Sequence, residues 1–390
     1  MPFSGLFSGR HPEDSIVRFL VCAFYEVFPP ASGAAVVSYS CARFLKGEKF
    51  LLQLSPSKCE TLPEDGIELI NVDVPQDRNV KKVSGLAWKL PAIVNRIKAI
   101  HPDCLIFEGS SWSMYHLALL YLVRAARIKS KIVYHAHNVE YVLRRQKNSF
   151  LVARMTKWAE RRLLQKTDLN TAVSEVDAQR FERLYGMRPI LLPNGVDLER
   201  FRAVTLEDVE AVRKRYHLSG KLVLFMGLTA YKPNREAVEF LVGRVFPGLI
   251  THLPEARLAV IGGEVGYKKA WLIAPGNIPY RDIPAFIAAC DVCVAPIFSG
   301  SGTRLKILEY LAASKPVVST SKGAEGLQVE AGKNIVMAEE GDFAEAVEGL
   351  LRNPDRAAKI GAAGFRVVEE HYSWQRILAD FQGHLTMGRE

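Results

Sequence analysis

The stretch from Asp291 to Leu327, DVCVAPIFSGSGTRLKILEYLAASKPVVSTSKGAEGL, leaves a chain few folds to choose from. A short apolar run, Val292 to Pro296, reads as a buried strand of a parallel sheet. It opens into Gly300-Ser301-Gly302-Thr303 and then a helix with Leu305, Leu308, Leu311 and Ala312 on one face. A β-branched run, Val317 to Thr320, supplies a second strand. Strand, glycine-rich turn, helix and strand make a βαβ unit, which commits its surroundings to a parallel α/β sheet. The turn offers backbone N–H groups at a helix N-terminus, where the dipole also favours an anion. Arg304 and Lys306 add positive charge beside the turn, and Glu309 supplies a carboxylate further along the helix. Phosphates at the mouth and a pair of sugar hydroxyls on the carboxylate would satisfy that set. The stretch therefore reads as a seat for a nucleoside diphosphate. A plain tight connection has the same look, so the reading needs support from the rest of the chain.

The same residues resemble the nucleotide-sugar motif of the retaining family 4 glycosyltransferases, which have the GT-B fold. That motif holds two spaced glutamates, then a helix and a strand entry met here as Pro316-Val317-Val318. Glu309 matches the second glutamate, which in the family binds the ribose hydroxyls. The first glutamate, which contacts the donor sugar, falls on Ser301 here. The resemblance covers roughly Val17 to Phe381 and matches in order at Val139-Glu140, Pro193-Asn-Gly-Val-Asp197, Gly227 to Asn234 and Gly300 to Val318.

At 390 residues, the chain is long enough for two domains, each with its own core. Apolar residues make up 48%, as in a water-facing globular protein. No run is long and apolar enough for a membrane-spanning helix, and the first residues carry no apolar core like that of a secretion signal. Six cysteines are scattered, mostly inside apolar runs. Cys290-x-x-Cys293 lacks the second pair that zinc needs, so it reads as a reduced, structural pair in a cytoplasmic protein. The net charge of +9 calls for an anionic partner. Between Val142 and Lys166, eight Lys or Arg stand against one acid, Glu160, with Leu151, Met155, Trp158, Ala159 and Leu163 at helical spacing. This basic amphipathic helix reads either as a solvated face over a core-packed stripe or as a dock for anionic lipid on the inner face of the plasma membrane.

Along the first half, Ile16 to Tyr25 reads as a buried strand, and Gly33 follows where strand gives way to helix. Open α/β sheets place ligands at that junction, and the resemblance puts a glycine-rich loop there that closes over donor phosphates and acceptor. Ser84 to Ile100 reads as an amphipathic helix interrupted by Pro91. The strand Lys131 to His135 ends at His135-Ala-His137-Asn138-Val139-Glu140, with two histidines spaced to face the same way. A histidine there can bond a substrate hydroxyl or phosphate. The resemblance selects His137, aligned with a histidine near donor sugar and acceptor. Glu140 can pair with Arg144 one turn on.

In the second half, Lys221 to Gly227 is a strand ending in glycine, and Lys232 sits at the following loop–helix junction, where an ammonium can meet phosphate. In the family an arginine just after that glycine and a lysine further on clamp the diphosphate. Leu228 occupies the arginine position, and Arg304 is the nearby stand-in. The resemblance also brings backbone near Tyr280 and Arg281 to the base.

The expected architecture is thus α/β with the GT-B fold, two Rossmann-like domains facing each other across a cleft. Residues 1–195 would form the acceptor-side domain, 196–372 the nucleotide-sugar-binding domain, and 373–390 a helix crossing back to the first. The expected activity is transfer of a hexosyl group from a UDP- or GDP-sugar to a glycan or lipid-linked acceptor in cell-surface polysaccharide biosynthesis. His137 and Glu309 would be catalytic. Gly33, Gly227, Lys232, Tyr280, Arg281, Gly300, Ser301, Gly302, Thr303 and Arg304 would join Glu309 around the donor. No cofactor beyond the nucleotide sugar is expected. No Asp-x-Asp motif is apparent, so metal-independent chemistry is expected, with retention of configuration implied by the resemblance. A sugar-nucleotide epimerase of the same fold is the alternative. A nucleic-acid-binding protein is disfavoured because the basic residues are not interleaved with a stacking platform, and an NAD dehydrogenase because no Gly-x-Gly-x-x-Gly follows the first strand.

Overall fold

Runs such as Phe19 to Ala23 and Leu222 to Met226 are apolar at every position rather than every second one. Only a strand covered on both faces buries such a run. In a computed structural model these runs are the inner strands of two all-parallel sheets. The structure describes residues 16–55, 63, 65–73, 80–109, 111–147, 150–300 and 302–386, without the side chains of 80–84, 146–147 and 386.

The first sheet holds β1 (Arg18–Ala23), β2 (Glu48–Ser55), β3 (Ile67–Asp73), β4 (Cys104–Glu108), β5 (Lys131–Ala136), β6 (Leu169–Ala172) and β7 (Ile190–Leu191). Their order is β3-β2-β1-β4-β5-β6-β7. Its helices are α1 (Gly33–Phe44), α2 (Val80–Ile100), α3 (Ser113–Ala125), α4 (Glu140–Lys147), α5 (Phe150–Lys166) and α6 (Glu175–Tyr185). Ser174 caps α6 through its side chain and Gly186 closes it in a left-handed turn, as the sequence indicates. Pro91 lies inside α2, which runs on past it rather than breaking.

The second sheet repeats the plan. It holds β8 (Lys221–Met226), β9 (Ala256–Ile261), β10 (Leu272–Gly276), β11 (Val292–Ala295), β12 (Val317–Ser319) and β13 (Val336–Met337), in the order β10-β9-β8-β11-β12-β13. Helices α7 (Leu198–Arg202) and α8 (Leu206–Arg215) precede it; α9 (Lys232–Phe240), α10 (Phe246–His252), α11 (Ile283–Ala288) and α12 (Leu305–Ala312) lie within it. A π-helical turn, Leu241–Val245, joins α9 to α10. Alternate residues of β8 serve opposite cores: Leu222, Leu224 and Met226 join one apolar cluster, Val223 and Phe225 the other.

The described residues form two compact units. One runs to Pro193 and takes in the last helix, Trp374–Thr386; the other is Asn194–Ser373. In each sheet the strand order reverses beside the first strand, between β1 and β4 and between β8 and β11. Crevices at the carboxyl ends of strands open at such reversals, and open α/β sheets bind ligands there. Cys22, Cys41, Cys104, Cys290 and Cys293 are free and buried; Cys59 lies outside the described residues.

Candidate active site

In the second unit, β8 ends at Gly227, and β11 runs out toward Gly300. A Cβ on Gly227 would fall 2.7 Å from Lys306 Nζ and 2.8 Å from Asn234 Nδ2, so only glycine lets those side chains come in. Asn234, in the first turn of α9, donates to Leu228 O at 3.0 Å and accepts from Lys306 Nζ at 2.8 Å. The ammonium also lies 4.1 Å from the centre of the Phe225 ring. Burial pulls the Lys306 amine down to about 7; Arg304 adds to the shift and Glu309 opposes it.

Gly300 and Gly302 take positive φ, +97° and +82°, which the turn into α12 requires. A Cβ on Gly300 would meet the Tyr231 hydroxyl at 3.1 Å and Arg304 Nη2 at 3.2 Å. Arg304 curls back over its own loop, donating to Gly302 O at 2.7 Å and Ser299 O at 3.2 Å. It therefore braces the glycine turn, and α12 starts without a side-chain cap. Thr303 stands between turn and helix, partly buried; Ser301 lies outside the described residues.

Glu309 lies one turn into α12, facing Lys306. Its carboxylate makes no hydrogen bond or ion pair among the described residues, and burial pushes it up to about 7 against the pull of Arg200 and Lys306. Arg200, from α7, stacks 3.7 Å above the Tyr280 ring and donates to Tyr280 O at 2.6 Å. It thus ties the short turn Tyr280–Asp282 to the neighbourhood of Glu309. Arg281 points to solvent, 83% exposed. Lys232, expected at the phosphates, is 66% exposed and pairs with Glu236 on its own helix at 3.4 Å. Lys306 is the lysine that the fold brings to Gly227.

In the first unit, the register sets Ala23, Glu108 and His135 side by side at the carboxyl ends of β1, β4 and β5. Glu108 is fully buried, bonded to His135 Nδ1 at 3.1 Å, His137 Nε2 at 2.7 Å and Ser38 Oγ at 3.0 Å. The two histidines do face one way, onto one carboxylate. Burial alone would raise that carboxyl; the two imidazoles outweigh it and hold it well below the usual carboxylate range. Burial likewise lowers His137, which stays neutral near pH 7. Cys41 Sγ, Glu108 and His135 offer three ligand atoms within 4.8 Å of one another, but the carboxylate oxygens are already engaged by the imidazoles and Ser38. Gly33 opens α1, exposed, with Ser32 capping Ala35 N at 3.2 Å. Glu160 of α5 accepts from the first amides of α4, Glu140 N and Tyr141 N at 2.8 and 3.0 Å, and fixes the segment that leaves His137. Glu140 pairs with Arg144 at 2.6 Å, as its spacing suggests.

Two parallel sheets with one strand order, each bearing polar side chains at its reversal point, define a GT-B protein. Two family models match in succession: Glycosyltransferase Family 4 over residues 31–200 and Glycosyl transferases group 1 over residues 220–353. The chain belongs to these glycosyltransferases. It is 28% identical over 237 residues to the GDP-mannose-dependent monoacylated alpha-(1-6)-phosphatidylinositol monomannoside mannosyltransferase of Corynebacterium glutamicum, covering 55% of this chain and 61% of that one. The Mycolicibacterium smegmatis GDP-mannose-dependent alpha-(1-6)-phosphatidylinositol monomannoside mannosyltransferase is 29% identical over 244 residues, 57% of this chain and 63% of its own. The matches thus span less than two thirds of these curated relatives. Among solved structures, Anabaena HepE in complex with UDP and glucose superposes with a TM-score of 0.75 at 16% identity, over 95% of this chain and 99% of that one. The epimerase alternative finds no support in these likenesses.

Proposed function

We propose that the protein transfers a hexosyl group from a nucleoside diphosphate sugar to a glycan or lipid-linked acceptor in cell-envelope biosynthesis. The observation that carries this is Glu309, an inward carboxylate without a partner among the described residues, set beside Lys306 on a helix that starts at a glycine turn. Ribose hydroxyls complete the carboxylate, and the diphosphate lies on Lys306 and the uncapped amides of α12. GDP-mannose is the first donor to try, since both curated relatives carry it in their names. Tyr280, held by Arg200, takes the base in this reading. His137 serves the sugar end. The reading includes transfer without a metal ion, because Lys306, Arg304 and the amides supply positive charge to the leaving diphosphate. It also includes retention of configuration, which rests on family membership alone.

A membrane partner is part of the proposal. On α5 the residues Phe150, Leu151, Met155 and Trp158 are 81%, 65%, 46% and 50% exposed, with Arg154, Arg161 and Arg162 exposed among them. Ala153, Thr156, Ala159, Leu163 and Leu164 take the buried side. The apolar stripe expected to pack on the core is thus split, and its larger part faces out. Aromatic and aliphatic surface set in positive charge suits an anionic bilayer. No helix among the described residues is long and apolar enough to cross one.

Calorimetric titration with GDP and UDP tests the donor seat. Glu309→Ala should lose roughly 1.5–3 kcal/mol of nucleotide affinity, about tenfold to a hundredfold, and all transfer from radiolabelled GDP-mannose. Undiminished nucleotide affinity in that variant would remove the assignment.

A further inference from the structure

Glu108 is not used by the donor seat, yet three elements converge on it. His135 and His137 approach from β5 and the residues after it, and Ser38 from α1. Tyr25 Oη lies 2.7 Å from Ser38 Oγ. The protons on these bonds can be assigned by elimination. An ionised carboxylate only accepts. Ser38 therefore gives its single proton to Glu108 and takes one from Tyr25, while both imidazoles donate. His137 must carry its proton on Nε2. A neutral imidazole has only one N–H, so Nδ1 is left with a bare lone pair. Three further ionisable neighbours do not compete. The Cys22 and Cys41 thiols are raised by burial, and burial takes His116 down to about 3, so all three are neutral.

The two histidines then differ in what they can do. His135 is wholly buried and its Nε2 has no partner among the described residues. His137 keeps 11% of its side chain exposed, and its Nδ1 makes no hydrogen bond among the described residues. The backbone beside that nitrogen is Gly109 at φ +80°, where a Cβ would stand 3.7 Å from Nδ1 and 3.3 Å from the Tyr25 ring. A residue without a side chain keeps the approach to Nδ1 open.

We propose that Glu108 is a positioning residue that fixes the Nε2–H tautomer of His137 and so presents Nδ1 as a hydrogen-bond acceptor to a substrate hydroxyl. Only the identity of the hydroxyl, one on a sugar, rests on the transferase reading; the tautomer does not. The test uses the full chain with 15N-labelled histidine. Long-range 1H–15N correlation identifies which ring nitrogen carries the proton, and the His137 ring is assigned by its loss in His137→Ala. The wild type should show Nε2–H at neutral pH. In Glu108→Gln one amide oxygen must serve two imidazoles, so the His137 pattern should shift toward Nδ1–H or a mixture. In transfer assays Glu108→Gln should lower kcat roughly tenfold, the worth of one hydrogen bond, with the donor KM little changed. In the His137→Ala background the same substitution should cost no further kcat. An Nδ1–H tautomer in the wild type, or additive losses in the double variant, would overturn the proposal. The wild-type spectrum decides it even if Glu108→Gln fails to fold. A correct tautomer in a protein that transfers no sugar would instead count against the transferase reading.

Discussion

Lys306 and Glu309 stand one turn apart on α12, and burial drives each toward the same pH from opposite sides, Glu309 up to about 7 and Lys306 down to about 7. Ribose hydroxyls donate to an ionised carboxylate, and a diphosphate needs a charged ammonium. Nucleotide affinity should therefore fall as pH drops through 7 and Glu309 protonates. It should fall again as pH rises through 7 and Lys306 loses its proton. The groups act on each other, so the two limbs belong to the pair. Glu309→Gln should abolish the acid limb and Lys306→Met the alkaline one, as read by GDP titrations on either side of neutrality. The nucleotide's own phosphate titration is common to all three proteins and drops out of the comparison. A flat wild-type profile would sink this account. Both residues are legible in the sequence because one motif on one helix holds them. Glu108, Arg200 and Asn234 are not. Each meets its partner across the sheet or from another helix, and a lone carboxylate closing Cys104-Leu-Ile-Phe-Glu108 gives no sign of two histidines at the end of the next strand. Lys232 is the converse case: its position suits a phosphate contact, yet Glu236 one turn on supplies a partner on its own helix.

At the scale of elements, α5 poses the sharpest question, since its sequence suits two surfaces. Helical periodicity alone assigns Leu151, Met155 and Trp158 to the core. The fold instead buries the narrower ridge of Ala153, Thr156 and Ala159, on a helix whose neighbours are α3 and α4. The larger residues are left outside with the arginines. Each basic residue near an anionic surface contributes about 1 kcal/mol. Replacing Arg154, Lys157 and Arg161 with neutral glutamines should then weaken partition onto phosphatidylserine vesicles by about 3 kcal/mol, on the order of a hundredfold. The loss should shrink in high salt, where the charges are screened. Vesicle co-sedimentation unchanged by the triple substitution would leave α5 a plain solvated face. Elements with a strong pattern were readable elsewhere too, such as α6 with its serine cap and glycine stop. The edge strand β10 was not, because Leu-Ile-Ala-Pro-Gly carries a proline and little β-propensity; only a free edge tolerates it.

Over the whole molecule, the repeated alternation of apolar runs and helices was enough to indicate two parallel α/β sheets. Strand order was less accessible: it depends on where each crossover returns, and no residue marks that. The tail shows how far chain order and folding unit can part. Residues Asn194–Ser373 make one unit, yet the helix that follows belongs with the other, where it packs on α1. Leu378 and Phe381 are buried there, Gln382 exchanges two bonds with the Lys46 backbone, and Lys131 Nζ reaches Leu385 O at 3.0 Å. Truncating a buried phenylalanine costs about 3–5 kcal/mol. In a unit of this size each kcal/mol moves the melting temperature by about 2–4 °C, so Phe381→Ala should lower one calorimetric transition by on the order of 10 °C. Ligand binding stabilises only the unit that binds it. Saturating GDP should therefore raise the other transition equally in wild type and variant, since Glu309 and Lys306 lie in Asn194–Ser373. If Phe381→Ala instead lowered the GDP-responsive transition, the last helix would stabilise the nucleotide-binding unit, and the two-unit division would be wrong.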